Sequence, residues 1–155
     1  NAKIYIANDN SDGQIVVSGQ NDDLVKFSNI LKSSKIKNIK LPVSAPFHCL
    51  LMNKATEIMK AEIEKIKFTD GRNILISNVS AGEIKDKENF KKLLIDQIES
   101  RVRWRESIIY MIDKGTKEFI EIGPGKVLSG LIKRTSDKVM TKSINSLEDI
   151  KNYNA

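Results

Sequence analysis

Strand-type and helix-type apolar patterns take turns along most of this chain, and that alternation restricts the fold more than any single residue does. It predicts an α/β fold with a mainly parallel sheet covered by helices, since parallel neighbours need a crossover between them. Lys3 to Ala7 alternates as a strand, and Asn8-Asp9-Asn10-Ser11-Asp12-Gly13 is rich in turn formers. Gln14 to Ser18, around Ile15, Val16 and Val17, reads as a second strand that Gly19 ends. Asn21 or Asp22 is placed to cap a helix whose apolar face holds Leu24, Phe27, Ile30 and Leu31. Ile36 to Val43 reads as extended. Residues 1–43 are therefore expected to run β-β-α-β, the latter part of a small split-βαβ unit without its opening strand and helix.

The pattern changes after Pro46. Met52, Ala55, Met59, Ile63 and Ile66 recur at spacings of three and four, which predicts a long amphipathic helix. Ile74 to Val79 reads as a short strand of the buried type. Asp86 to Ile98 is expected to be helical, with Phe90, Leu93, Leu94 and Ile98 as its stripe, and Arg105 to Lys114 forms another helix closed by Gly115. Phe119 to Ile122 is a strand that Gly123-Pro124-Gly125 turns into a helix carrying Val127, Leu128, Leu131 and Ile132. Val139 to Ile144 is the last strand, and Ser146 caps a short polar tail. Residues 44–155 thus form a second α/β region.

Composition narrows the function classes. The 155 residues suffice for one domain, with a core large enough to need no disulfide or metal staple. One cysteine fits a reducing cytoplasm, and no apolar run approaches the roughly 18 residues of a membrane span. The formal charge of +6 points less clearly to a partner. Lysine supplies 21 of the 26 basic residues, spread among acidic ones, and only five arginines are available to read phosphate or guanine. Isoleucine (22) and asparagine (13) are similarly abundant, and all three have A/T-rich codons. No zinc finger, RNA-binding aromatic motif or arginine-rich arm occurs, so nucleic acid is not an expected partner. The chain opens on Asn1-Ala2-Lys3-Ile4-Tyr5, already strand-like, and reads as though it begins mid-fold. Such a cut would leave apolar faces unpartnered and solubility poor.

The one histidine, His48, sits between an extended segment and a long helix, in Leu41-Pro42-Val43-Ser44-Ala45-Pro46-Phe47-His48-Cys49. Junctions of that kind carry ligands and proton-transfer groups, and imidazole is suited to proton transfer near neutral pH. The alternative is a helix-start histidine bonded to a nearby carbonyl. Cys49 beside it reads as a buried small hydrophobe or as a nucleophile beside a base. The amides of Gly123-Pro124-Gly125-Lys126 could receive an anion or simply make a tight turn. Gln97 falls on an apolar stripe, where an amide must be hydrogen-bonded or must orient something polar. No metal-ligand spacing is present.

Four segments together resemble malonyl-CoA:acyl carrier protein transacylases, in family order and across nearly the whole chain. They are Ala7-Asn8-Asp9-Asn10-Ser11-Asp12-Gly13-Gln14-Ile15-Val16-Val17-Ser18-Gly19, Leu41 to Met52, Arg101-Val102-Arg103-Trp104-Arg105-Glu106-Ser107, and Phe119 to Leu131. Polyketide synthase acyltransferase domains share that fold. The resemblance implies the C-terminal part of an α/β-hydrolase-like acyltransferase, with an incomplete ferredoxin-like small subdomain over residues 1–43. It implies transfer of malonyl from coenzyme A, through an acyl-serine, to the phosphopantetheine thiol of an acyl carrier protein, for fatty acid biosynthesis and with no bound cofactor. By the same resemblance His48 is the catalytic base, and Gln97 orients it through its main-chain carbonyl. Asn8 supports the active site, and Phe47 is a candidate for the substrate pocket.

One departure matters most. No G-x-S-x-G occurs, since Ser18 and Ser129 both lack the leading glycine at the right offset. The chain is expected to carry the base without the nucleophile and to be inactive alone, with the family's upstream half missing. A second expectation is of another class: a non-catalytic fragment that binds the acidic carrier through lysines such as Lys126 and Lys133.

Overall fold

The computed structural model describes residues 3–69, 71–84 and 86–153; Asn1 and Ala2 of the strand-like opening lie outside them. The chain is mixed α/β. Strand β1 (Ile4–Ser11) and β2 (Gln14–Gly19) form an antiparallel hairpin turned at Asp12-Gly13, where Gly13 takes φ 73°. The turn formers Asn8 to Ser11 are therefore strand, contrary to the connector expected from them. Their backbone is claimed from both sides. Asn8 faces Val16 in β2, while Val102 N donates to Ala7 O (2.8 Å) and Asp9 N donates to Val102 O (2.9 Å). Pairing overrides the local preference of Asn and Asp.

Helix α1 (Asn21–Ser33) begins after Gln20, without the side-chain cap expected from Asn21 or Asp22. None of its residues is buried, and Ile30 is 61% exposed. Residues 36–43 are not a strand, because they enter no ladder with any described strand. After a 3₁₀ turn over Leu50–Met52 comes α2 (Asn53–Lys65), in which Ile63 alone is buried. The strand expected over 74–79 shrinks to β3 (Ile76–Ser77), paired antiparallel with β4 (Gly82–Glu83). Helix α3 (Lys87–Asp96) starts at Asp86, whose carboxylate accepts from Asn89 N at 2.7 Å.

Helix α4 (Trp104–Asp113) ends in a Schellman arrangement: Gly115 N donates to Ile112 O (2.8 Å) and Thr116 N to Met111 O (3.0 Å). Gly115 takes φ 95° there, which a side chain would oppose. Strands β5 (Glu118–Ile122) and β6 (Met140–Ile144) pair in parallel across the crossover helix α5 (Val127–Thr135). Helix α6 (Leu147–Tyr153) closes the described chain, with Ser146 Oγ accepting from Asp149 N at 3.1 Å.

Among the described residues the expected mainly parallel sheet is thus one parallel pair, together with the single parallel bridge Asn8–Val102. The core lies where β1, α4 and α5 meet, around Ala7, Ile108, Leu131 and Ile132. Apolar residues beside the β5–β6 pair are open: Ile122 is 79% exposed and Val127 69%. No described helix is long and apolar enough to cross a membrane.

Candidate active site

Three hydrogen bonds fix the segment around His48. Cys49 is 2% exposed, and its thiol donates to Pro46 O at 3.1 Å, so it is the buried small side chain rather than an open thiol. Ser18 Oγ donates to Phe47 O at 2.7 Å. His48 Nδ1 lies 3.0 Å from the main-chain oxygen of Gln97. A carbonyl only accepts, so Nδ1 is the donor of this bond, and in the neutral ring the lone pair falls to Nε2. His48 itself takes φ 58°, a left-handed conformation that costs a side-chain-bearing residue about 1–2 kcal/mol. Histidine is among the types that tolerate it best, and such conformations gather where surroundings over-determine them.

Gln97 stands at the C-terminus of α3, where helical carbonyls lack internal partners, so its oxygen is free to receive the ring. Its side chain is satisfied separately, Nε2 donating to Ser100 O at 3.1 Å. Five residues on, Val102 joins β1 beside Asn8, which brings the strand that carries Asn8 to the segment that carries Gln97. Among the described residues no hydrogen bond joins Asn8 to His48. Phe47 is 45% exposed, and its described hydrogen bond is through its carbonyl.

Arginines lock the same region. Arg103 donates to Val79 O (3.3 Å) and Ser80 O (3.1 Å) and pairs with both carboxylate oxygens of Glu106, tying the β3–β4 hairpin to the start of α4. Hydrogen bonds from Arg103 hold the Glu106 carboxyl below its usual range, with the charges of Arg103, Arg101 and Arg105 adding to them against partial burial. Arg105 meets Asp9 with two bonds, at 3.1 and 3.2 Å, and reaches Asp12 at 3.1 Å.

The Gly123-Pro124-Gly125-Lys126 loop is not an open anion cradle. Glu121 Oε1 accepts from Leu128 N at 3.0 Å and Oε2 from Ser129 N at 2.8 Å, so the chain's own carboxylate occupies the amides of α5. Burial pushes the Glu121 carboxyl up, but the bonds from Ser129 and the α5 amides outweigh it and leave the group below its ordinary value. Two open concavities among the described residues are lined without His48. One is bordered by Ile109 and Thr135, the other by Ile84 and Leu93. No group of three or more described His, Cys, Asp or Glu residues is placed to hold a metal ion.

The family of acyl transferase domains matches residues 1–153. The chain belongs to that family. This acyl transferase chain is 41% identical over 151 residues to the malonyl CoA-acyl carrier protein transacylase of Staphylococcus aureus strain COL, covering 96% of this chain and 48% of that protein. Its fold superposes on the malonyl CoA-acyl carrier protein transacylase of Clostridium perfringens with a TM-score of 0.92 at 37% identity, over 98% of this chain and 48% of the other. It superposes equally, with a TM-score of 0.92 at 28% identity, on a malonyl-transacylase solved in complex with a type II polyketide acyl carrier protein, over 97% of this chain and 49% of that one. The chain spans about half the length of the relatives it matches.

Within this acyl transferase chain, the arginine ties and the Ser18–Phe47 bond are what sequence reasoning missed. In the sequence Ser18 ends a strand, belongs to a family-like segment and lacks the glycine of a nucleophile turn, none of which ties it to Phe47. Its partner lies 29 residues away, with no spacing rule to link them.

Proposed function

We propose that this chain is the base-bearing, C-terminal portion of a malonyl-CoA:acyl carrier protein transacylase. The observation that carries the reading is the 3.0 Å contact between His48 Nδ1 and the Gln97 carbonyl, which leaves Nε2 able to accept a proton. His48 is the general base, Gln97 its main-chain orienter, Asn8 a support for the substrate region and Phe47 a wall of the acyl pocket. A carbonyl orients the ring without placing a second charge beside it.

The nucleophile is a serine in a G-x-S-x-G turn outside this sequence. Its Oγ proton passes to His48 Nε2 as the oxygen attacks the malonyl thioester; the coenzyme A sulfur departs and takes that proton. The phosphopantetheine thiol of the carrier then gives its proton to Nε2, its sulfur attacks the acyl-serine, and the serine oxygen recovers the proton. Substrates supply every reacting group besides the serine and His48, so no resident cofactor enters. Residues 1–43 are the latter part of a ferredoxin-like subdomain and 44–155 part of an α/β-hydrolase-like one, in a cytoplasmic enzyme of fatty acid biosynthesis. Exposed Lys126 and Lys133 suit the acidic surface of a carrier protein. The solved carrier complex of a relative at 28% identity supports that partner.

In a longer protein that supplies the G-x-S-x-G segment, His48→Ala should slow malonyl transfer by about a thousandfold or more. Transfer at an unchanged rate would sink the reading. Incubated alone with malonyl-CoA, the 155-residue chain should show no acyl adduct by intact mass.

A further inference from the structure

We propose that Ser18 is a positioning residue for His48, acting through the Phe47 carbonyl. Its effect on transfer rests on the reading of His48 as the base; its effect on the ring does not. Ser18 lies in β2 opposite Tyr5 and is 8% exposed, and its hydroxyl donates to Phe47 O at 2.7 Å, a full-strength distance for an O–H···O bond. That carbonyl belongs to the peptide joining Phe47 to His48, and rotation about the next bond sets where the imidazole points. The rotation is held at φ 58°, in the left-handed region that histidine adopts only uncommonly.

Two clamps therefore act on one residue, one at its ring and one at the peptide before it. Gln97 O receives the ring, and Ser18 Oγ grips the peptide before it. Without the second clamp the backbone is free to relax toward negative φ, which swings the ring off the carbonyl. Ser18 cannot yield instead, because β2 is pressed against β1 at the next residue: a Cβ on Gly19 would stand 2.7 Å from Lys3 O. Val17-Ser18-Gly19 thus combines a tight strand contact with one hydroxyl directed at the histidine loop.

The single histidine makes the test direct. Two-bond proton–nitrogen correlation on the ¹⁵N-labelled chain reads which ring nitrogen carries the proton. The Nδ1–H form should dominate in the unsubstituted chain, give way to a mixture in Ser18→Ala, and return in Ser18→Thr, which keeps the hydroxyl. The indole resonance of Trp104, the one tryptophan, reports that the fold is intact. An unchanged tautomer in a folded Ser18→Ala chain overturns the proposal. Should that variant not fold, the unsubstituted chain decides: a Ser18 hydroxyl proton slow enough in exchange to observe supports the bond, and one lost to fast exchange overturns it. In the longer protein, Ser18→Ala should lower kcat by about ten- to a hundredfold with KM unchanged, and Ser18→Thr should recover most of it. Loss of transfer in His48→Ala with full kcat in Ser18→Ala defeats the positioning role alone. Full transfer in His48→Ala defeats the reading of His48, while the tautomer still decides Ser18.

Discussion

His48 Nδ1 faces the main-chain oxygen of Gln97 at 3.0 Å, so the atom that meets the imidazole survives any ordinary side-chain substitution at Gln97. Gln97→Ala should leave the Nδ1–H tautomer intact while losing the Nε2 bond to Ser100 O. The expected cost is about 1 kcal/mol of folding stability. Urea unfolding beside the ¹⁵N correlation checks both halves, and a tautomer change would mean that the side chain matters to the ring.

Glu106 sets part of the acid limit of the fold. Its folded-state carboxyl, held down first by hydrogen bonds from Arg103, contributes stability above the unfolded value. That contribution is lost as the pH falls through the lower folded value. Stability should therefore decline below about pH 4.5, the unperturbed carboxylate region, and Glu106→Gln should flatten that decline. Urea midpoints followed from neutral pH into acid measure it; an acid limb as steep in the variant as in the parent would exclude Glu106.

Glu121 should act as an internal plug for the α5 amides. In the unsubstituted chain, added phosphate should leave the amide resonances of Leu128 and Ser129 unmoved. In Glu121→Ala those amides lose their acceptors, exchange faster with solvent, and shift on phosphate addition. Equal phosphate response in both chains would show the loop to be open after all.

Gly19→Ala should be poorly tolerated although Gly19 takes no unusual backbone angle. The added Cβ meets Lys3 O at 2.7 Å, backbone against backbone, so β1 and β2 must part. A loss of about 1–3 kcal/mol is expected on thermal or urea unfolding. Gly13→Ala is the contrast, since nothing lies within 4 Å of its Cβ position and only the φ of 73° opposes the change.

Periodicity marked α3, α4, α5 and the strands on either side of α5, because each carries its own apolar stripe or run. The contact of His48 with Gln97 was reachable only through resemblance, since 49 residues separate the pair. Asn8 to Ser11 misled for a physical reason: their side chains favour turns, while their backbone groups are claimed by Val16 and Val102. Residues 36–43 carry strand-like side chains but pair with no described strand. Stripes on α1 and α2 located helices correctly yet overstated the core, as Ile30 and Met59 stand 61% and 46% exposed.

Arg105 reaches back 96 residues to Asp9, and Arg134 reaches back 120 to Gln14. Closing loops of that length must precede the contacts that reward it, which makes such pairings slow to form. During synthesis the β1–β2 hairpin emerges long before either arginine is made, and His48 before Gln97. The imidazole can thus meet its carbonyl partner only once the chain has been extended 49 residues beyond it.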